Sequence, residues 1–220
     1  MCHVPRALAL ALVLPLSATA CGRYELAARW NELRGDAYAL DTISRDIPEA
    51  AAPSCPEHVR SVVYRGELIP YQPPAQVAEP FAEKLRAFDR VVEELAREHY
   101  GRAPDRVLHF GASLCRSVRG NTRRLSEHAL GNALDLAGFR WRKLPAAAGA
   151  SHPHAFSVTV QRHWAPREQD ADGATHRAFL QALLARIRER NLFRGVIGPG
   201  REGHADHLHL DQAPWSYWLF

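Results

Sequence analysis

The residues of this chain best suited to hold a cation or move a proton gather in two short stretches. The first is Ser126-Glu127-His128-Ala129-Leu130-Gly131-Asn132-Ala133-Leu134-Asp135, in which a histidine and an aspartate seven residues apart bracket a glycine. With the histidine on a loop or helix end and the aspartate on the following strand, one turn of chain brings both to one ion. The second is His204-Ala205-Asp206-His207-Leu208-His209. Residues i and i+2 of a strand share a face, so His207 and His209 project together. Three nitrogen or oxygen ligands with one position left open are the signature of catalytic rather than structural zinc. A lone histidine is usually no more than a satisfied polar residue; two convergent clusters in the right order point to a metal site. His152-Pro153-His154 repeats the His-x-His spacing, but its proline spoils strand pairing, and the segment reads as a loop without ligands. His109, His163 and His176 read as ordinary core or surface histidines. The terminal Trp215, Tyr217, Trp218 and Phe220 are expected to pack on the sheet rather than to line a cleft.

These clusters need rigid elements around them. Phe81, Leu85, Phe88, Val91, Val92, Leu95 and Tyr100 recur at helical spacing, which predicts an amphipathic helix from Pro80 to Tyr100, ended by Gly101. Phe179, Leu183, Leu184 and Ile187 predict a second from about Ala174 to Asn191. Val107 to Phe110 and Ala133 to Leu136 are short apolar runs that read as buried strands; Phe156 to Val160 alternates as a third. Val196 to Gly198 and His207 to Leu210 complete the set, and Ser61 to Tyr64 with Glu67 to Tyr71 around Arg65-Gly66 reads as a hairpin. Helices on a small, largely antiparallel sheet make an α+β fold, expected as one domain over residues 55–220.

The chain has 220 residues, 46% of them hydrophobic, enough for a single core. Its formal charge of +4 is scattered along the sequence, which favours anionic partners without selecting one and opposes a nucleic-acid function. At the N-terminus Arg6 precedes an apolar run from Ala7 to Leu14, too short for a membrane span and expected as a signal peptide over residues 1–20. Leu16-Ser17-Ala18-Thr19-Ala20-Cys21 resembles a lipobox, making Cys21 a lipidated first residue; Ala18-Thr19-Ala20 is also an ordinary cleavage site. Residues 21–54, with Pro48 and Pro53 breaking regularity, read as a tether or wrapping segment. Cys55 and Cys115 remain as a pair that could bridge in an oxidising periplasm or stand as two buried thiols; the bridge is the expectation.

The His-x6-Asp pattern with a later His-x-His resembles the group of lysostaphin-type endopeptidases, D-Ala-D-Ala peptidases and penicillin-insensitive murein endopeptidases. Within it, Ser126-Glu127-His128-Ala129 through Asp135, Cys115-Arg116 upstream, the turn Gly198-Pro199-Gly200 and His204 through Asp211 are similar to the bacterial extensin-like C-terminal family, over roughly Cys55 to Asp211. The resemblance implies His128, Asp135 and His209 as zinc ligands and His207 beside them as general base or as donor to the tetrahedral intermediate. Asp206 stands where the dipeptidase branch has an acidic base, so base duty stays open between the two. His204 would line the substrate site, Arg116 would contact substrate or oxyanion, and Ser126 would orient substrate or a ligand.

The expected function is therefore a zinc-dependent peptidoglycan peptidase, an endopeptidase cutting an amide in a stem peptide or cross-link, monomeric, periplasmic and anchored to a membrane through Cys21. The competing readings are a zinc-bearing, inactive wall-binding module and a murein carboxypeptidase or amidase.

Overall fold

The computed structural model describes residues 38–57, 59–145, 153–165 and 172–220. The signal segment, the Cys21 lipidation site, the Tyr24 to Leu33 helical pattern and His152 lie outside the described residues.

The domain is α+β. Strands β1 (Ser61–Tyr64), β2 (Tyr71–Gln72) and β3 (Ala75–Ala78) lead into helix α1 (Glu79–Tyr100). Strand β4 (Arg106–His109) and the pair β5 (Ser117–Val118) and β6 (Asn121–Leu125) follow, then a 3₁₀ turn (Glu127–Leu130) and the long β7 (Ala133–Trp141). After β8 (Phe156–Thr159) come two helices, α2 (Val160–His163) and α3 (Gly173–Glu189), and three strands, β9 (Gly195–Ile197), β10 (Leu208–Asp211) and β11 (Tyr217–Leu219). The main sheet runs β11-β9-β10-β7-β4-β2, with β8 also on β7. Most of its pairings are antiparallel; β11 on β9 and β2 on β4 are parallel.

Periodicity explains the layers. Along β7 and β10, Leu134, Leu136, Leu208 and Leu210 are fully buried and share one core with Phe81, Leu85 and Phe88 of α1 and Phe179 and Leu183 of α3. Each such side chain removed from water stabilises the fold by roughly 1.5–3 kcal/mol. The intervening Asp135 and His209 alternate to the opposite face. Gly101 closes α1 in a left-handed conformation, its N–H bonded 2.9 Å from the Arg97 carbonyl oxygen.

The expected hairpin around Arg65-Gly66 does not form. β1 pairs with β3 instead, and residues Glu67 to Pro70 make a loop. The cause is Asp89, fully buried on α1, which accepts from the hydroxyls of Tyr64 (2.6 Å) and Tyr71 (2.9 Å) and from the Glu67 amide (3.0 Å). That carboxylate draws the loop inward, and burial raises its pKa even so.

Residues 38–56 lie against the domain, with Leu40, Arg45 and Ile47 buried. Cys55 and Cys115 form the expected disulfide, with a Cα separation of 5.9 Å. No helix among the described residues is long and apolar enough to cross a membrane.

Candidate metal centre and its cleft

Strand register sets the centre. In the β7/β10 ladder His209 is directly opposite Asp135, and facing residues of an antiparallel pair have Cβ atoms only about 4.5–5.5 Å apart. The third member, His128, comes from the 3₁₀ turn just before β7. Ser126 caps that turn, its hydroxyl accepting from the His128 amide at 3.3 Å. Gly131 ends it with φ of 61°, and a Cβ there would lie 2.8 Å from the Ala78 nitrogen, so both the backbone angle and the space require glycine.

The three side chains meet at one point. His128 Nε2 lies 3.1 Å from Asp135 Oδ1 and 3.1 Å from His209 Nδ1, and His209 Nδ1 lies 3.0 Å from Asp135 Oδ1. The outer nitrogen of each ring faces a group that can only accept. His128 Nδ1 donates to the Ala112 carbonyl at 3.2 Å, and His209 Nε2 donates to Asp211 Oδ2 at 2.7 Å. In their neutral forms both rings therefore aim a lone pair at the shared point, where the Asp135 carboxylate adds a third acceptor. Three converging acceptors require a positive charge between them. Their separations are close to the roughly 3.3 Å edge of a tetrahedron with ~2.0–2.1 Å metal bonds. His128, Asp135 and His209 are thus a set that could hold a metal ion.

The protonation equilibria point the same way. Burial works against a charged His209, but Asp135 and Asp211 outweigh it and raise its pKa to about 9. Burial likewise opposes ionisation of Asp135, yet His128 and His209 hold it well below the usual carboxylate range. Asp211 is lowered too: burial is overcome by bonds from His209, the Tyr217 hydroxyl and the Ala213 amide.

His207 stands beside this cluster. Its Nε2 is 3.5 Å from Asp135 Oδ1, and its Nδ1 donates to Asp206 Oδ1 at 2.8 Å. Asp206 thus fixes the tautomer that leaves an Nε2 lone pair facing the centre. The His204 ring centroid is 5.0 Å from that of His207 and 6.1 Å from that of His209. A cleft of about 800 Å³ opens on these residues, and Arg116, Ser126 and His204 line it. All the residues singled out from the sequence therefore come to one place, apart from the lipidation and disulfide cysteines.

The profile of the family described as extensin-like protein C-terminus matches residues 36–218. The chain belongs to the extensin-like C-terminal family. No curated protein and no solved structure matches it.

Several residues that build this extensin-like centre gave little signal in the sequence. Asp211 is fully buried and holds His209; only its i+2 spacing from a histidine could have marked it. Gly195 makes room for it, since a Cβ there would lie 2.1 Å from Asp211 Oδ1 and 2.6 Å from Tyr217 Cζ. Glu127 is clasped by Arg45 at 2.9 and 3.0 Å and takes a bond from Asn132 at 2.7 Å, which clamps the His128 turn. Tyr217 and Trp215 line the cleft, whereas Trp218 packs on the core; the expectation that these aromatics only pack holds for Trp218 alone of the three. His154 is exposed on a loop. His109 bonds the Pro73 carbonyl at 2.6 Å and His176 bonds the Tyr100 hydroxyl at 3.0 Å; with His163 they are buried structural histidines.

Proposed function

We propose that this protein is a zinc-dependent peptidase of bacterial peptidoglycan, an endopeptidase hydrolysing an amide in stem peptides or cross-links. One observation carries the reading: an open cleft in which His207, oriented by Asp206, faces three converging acceptors that require a cation. A binding module needs no such oriented base.

His128, Asp135 and His209 would hold the ion. Zinc bound there supplies Lewis acidity, polarising an amide carbonyl and bringing the ionisation of water near neutral pH. His207 Nε2 takes the proton of the attacking water and returns it to the leaving amine. Asp206 keeps the ring in that tautomer and steadies its cationic form, which assigns base duty to His207 and the supporting role to Asp206. Arg116, on the cleft wall, donates to the oxygen on which negative charge develops. His204 and Ser126 complete the substrate-facing surface and the His128 turn. No covalent intermediate is needed, since water is the nucleophile.

The N-terminal pattern supports export and attachment at a membrane face through Cys21, and the Cys55–Cys115 bridge accords with an oxidising periplasm. The test uses protein from Gly22 onward: bound metal is quantified, and cross-linked muropeptide dimers are digested with the wild type and His209→Ala. About one zinc per chain, with dimers converted to monomers by the wild type alone, supports the peptidase. Metal binding with dimers left intact would favour the wall-binding module instead, and loss of the whole stem from the sugar would indicate an amidase.

A further inference from the structure

Away from the metal cluster, the cleft has a strongly basic wall. Arg119, Arg124 and Arg201 line it together with Trp215. The arginines come from two arms: Arg119 and Arg124 from the β5–β6 hairpin, Arg201 from the loop between β9 and β10. Arg124 lies 3.6 Å above the Trp215 ring, which holds its guanidinium flat against the wall. Arg119 reaches across to the other arm, so close that a Cβ on Gly203 would sit 1.8 Å from its Nη1.

Three cations on one concave surface repel one another unless an anion offsets them. The carboxylates lining the cleft do not do so. Glu127 is buried in its pair with Arg45, Asp135 belongs to the metal cluster, and only Glu202 remains, exposed on the same loop as Arg201. Among the described residues neither Arg119 nor Arg201 makes an ion pair. A cleft lined by one sign of charge focuses field and draws in ligands of the other sign, and the planar guanidinium fork matches a carboxylate in two parallel bonds.

We propose that Arg119, Arg124 and Arg201 with Trp215 form a second subsite, beyond the metal cluster, that selects peptide segments bearing free carboxylates. The inference rests on the reading that a peptide occupies this cleft. It makes carboxylate charge, rather than side-chain shape, the main determinant of which peptides enter, so that amidated segments are poor ligands.

Equilibrium binding tests this without reading cleavage. A peptidoglycan stem tripeptide with its carboxylates free, and the same tripeptide with each converted to an amide, are titrated calorimetrically into the metal-loaded protein. The titrations are repeated with Arg119→Gln/Arg201→Gln and with Arg124→Gln. Each lost charge-assisted contact is expected to weaken binding about tenfold. The wild type should therefore prefer the acid by about 30-fold or more and the double variant by no more than about threefold. Raising the salt should weaken the acid and leave the amide unaffected. Arg119 and Arg201 are exposed, so an unchanged melting temperature should accompany the loss. Equal wild-type binding of acid and amide, or an undiminished preference in the double variant, overturns the subsite. If the preference behaves as expected while muropeptides resist cleavage, the subsite stands and the peptidase reading falls.

Discussion

His207 and His209 are two residues apart on one strand edge, and their hydrogen bonds separate their roles. His209 donates outward to the buried Asp211 and turns Nδ1 inward to the cluster, whereas His207 donates to the half-exposed Asp206 and turns Nε2 to the open side. Replacing His207 with Gln should therefore leave bound metal near the wild-type level and lower kcat by about 10²–10⁴-fold, the usual contribution of a positioned base. Metal analysis beside single-turnover rates checks it; loss of metal in this variant would make His207 a ligand instead. Asp211→Asn has the opposite profile. It removes the carboxylate that fixes the His209 tautomer, and such outer partners typically contribute 10–100-fold to metal affinity. A chelator competition titration should show that drop.

At the scale of elements, the centre depends on the β7/β10 register and on a four-residue turn. The register was legible in the sequence, because Leu134, Leu136, Leu208 and Leu210 must all face the core and thereby bring Asp135 and His209 to one opposite face. The turn was legible only as a histidine beside a glycine. What clamps it is Arg45, contributed from 82 residues away to a Glu127 whose type alone suggested an exposed cap. Such long-range pairs leave no periodic trace, and neither did Asp89, whose pull on the Glu67 loop replaced a hairpin that local pattern favoured. Arg45→Met would strand Glu127 in the interior without its cation. Breaking a buried pair from one side costs about 3–5 kcal/mol, so chemical denaturation should show a loss of that order. The double variant Arg45→Met/Glu127→Gln should recover part of it, since the uncompensated charge is gone. If the single variant loses less than about 1 kcal/mol, the clamp is not holding the turn.

For the molecule as a whole, the centre links stability to pH and to metal. With no metal bound, a proton takes the cation's place: His209 is raised to about 9 from its ordinary 6.5. A histidine raised in the folded state contributes stability that is fully present below its unfolded pKa and is lost as pH climbs through the folded one. The metal-stripped protein should therefore lose stability between about pH 6.5 and pH 9, by up to about 3 kcal/mol, or a melting temperature lowered by several degrees. Asp135 acts at the other end: because its pKa is held down, its contribution is present above the ordinary carboxylate range and disappears only in strong acid. A bound divalent cation displaces the His209 proton and abolishes the alkaline loss, since the metal-ligand set no longer titrates there. The gap in melting temperature between metal-loaded and chelated protein should then widen steadily from pH 6.5 to pH 9. Scanning calorimetry of both forms across that range checks it, with His209→Gln as the control in which the slope vanishes. A chelated protein whose melting temperature stays flat over the same interval would mean that the three acceptors do not seek a cation.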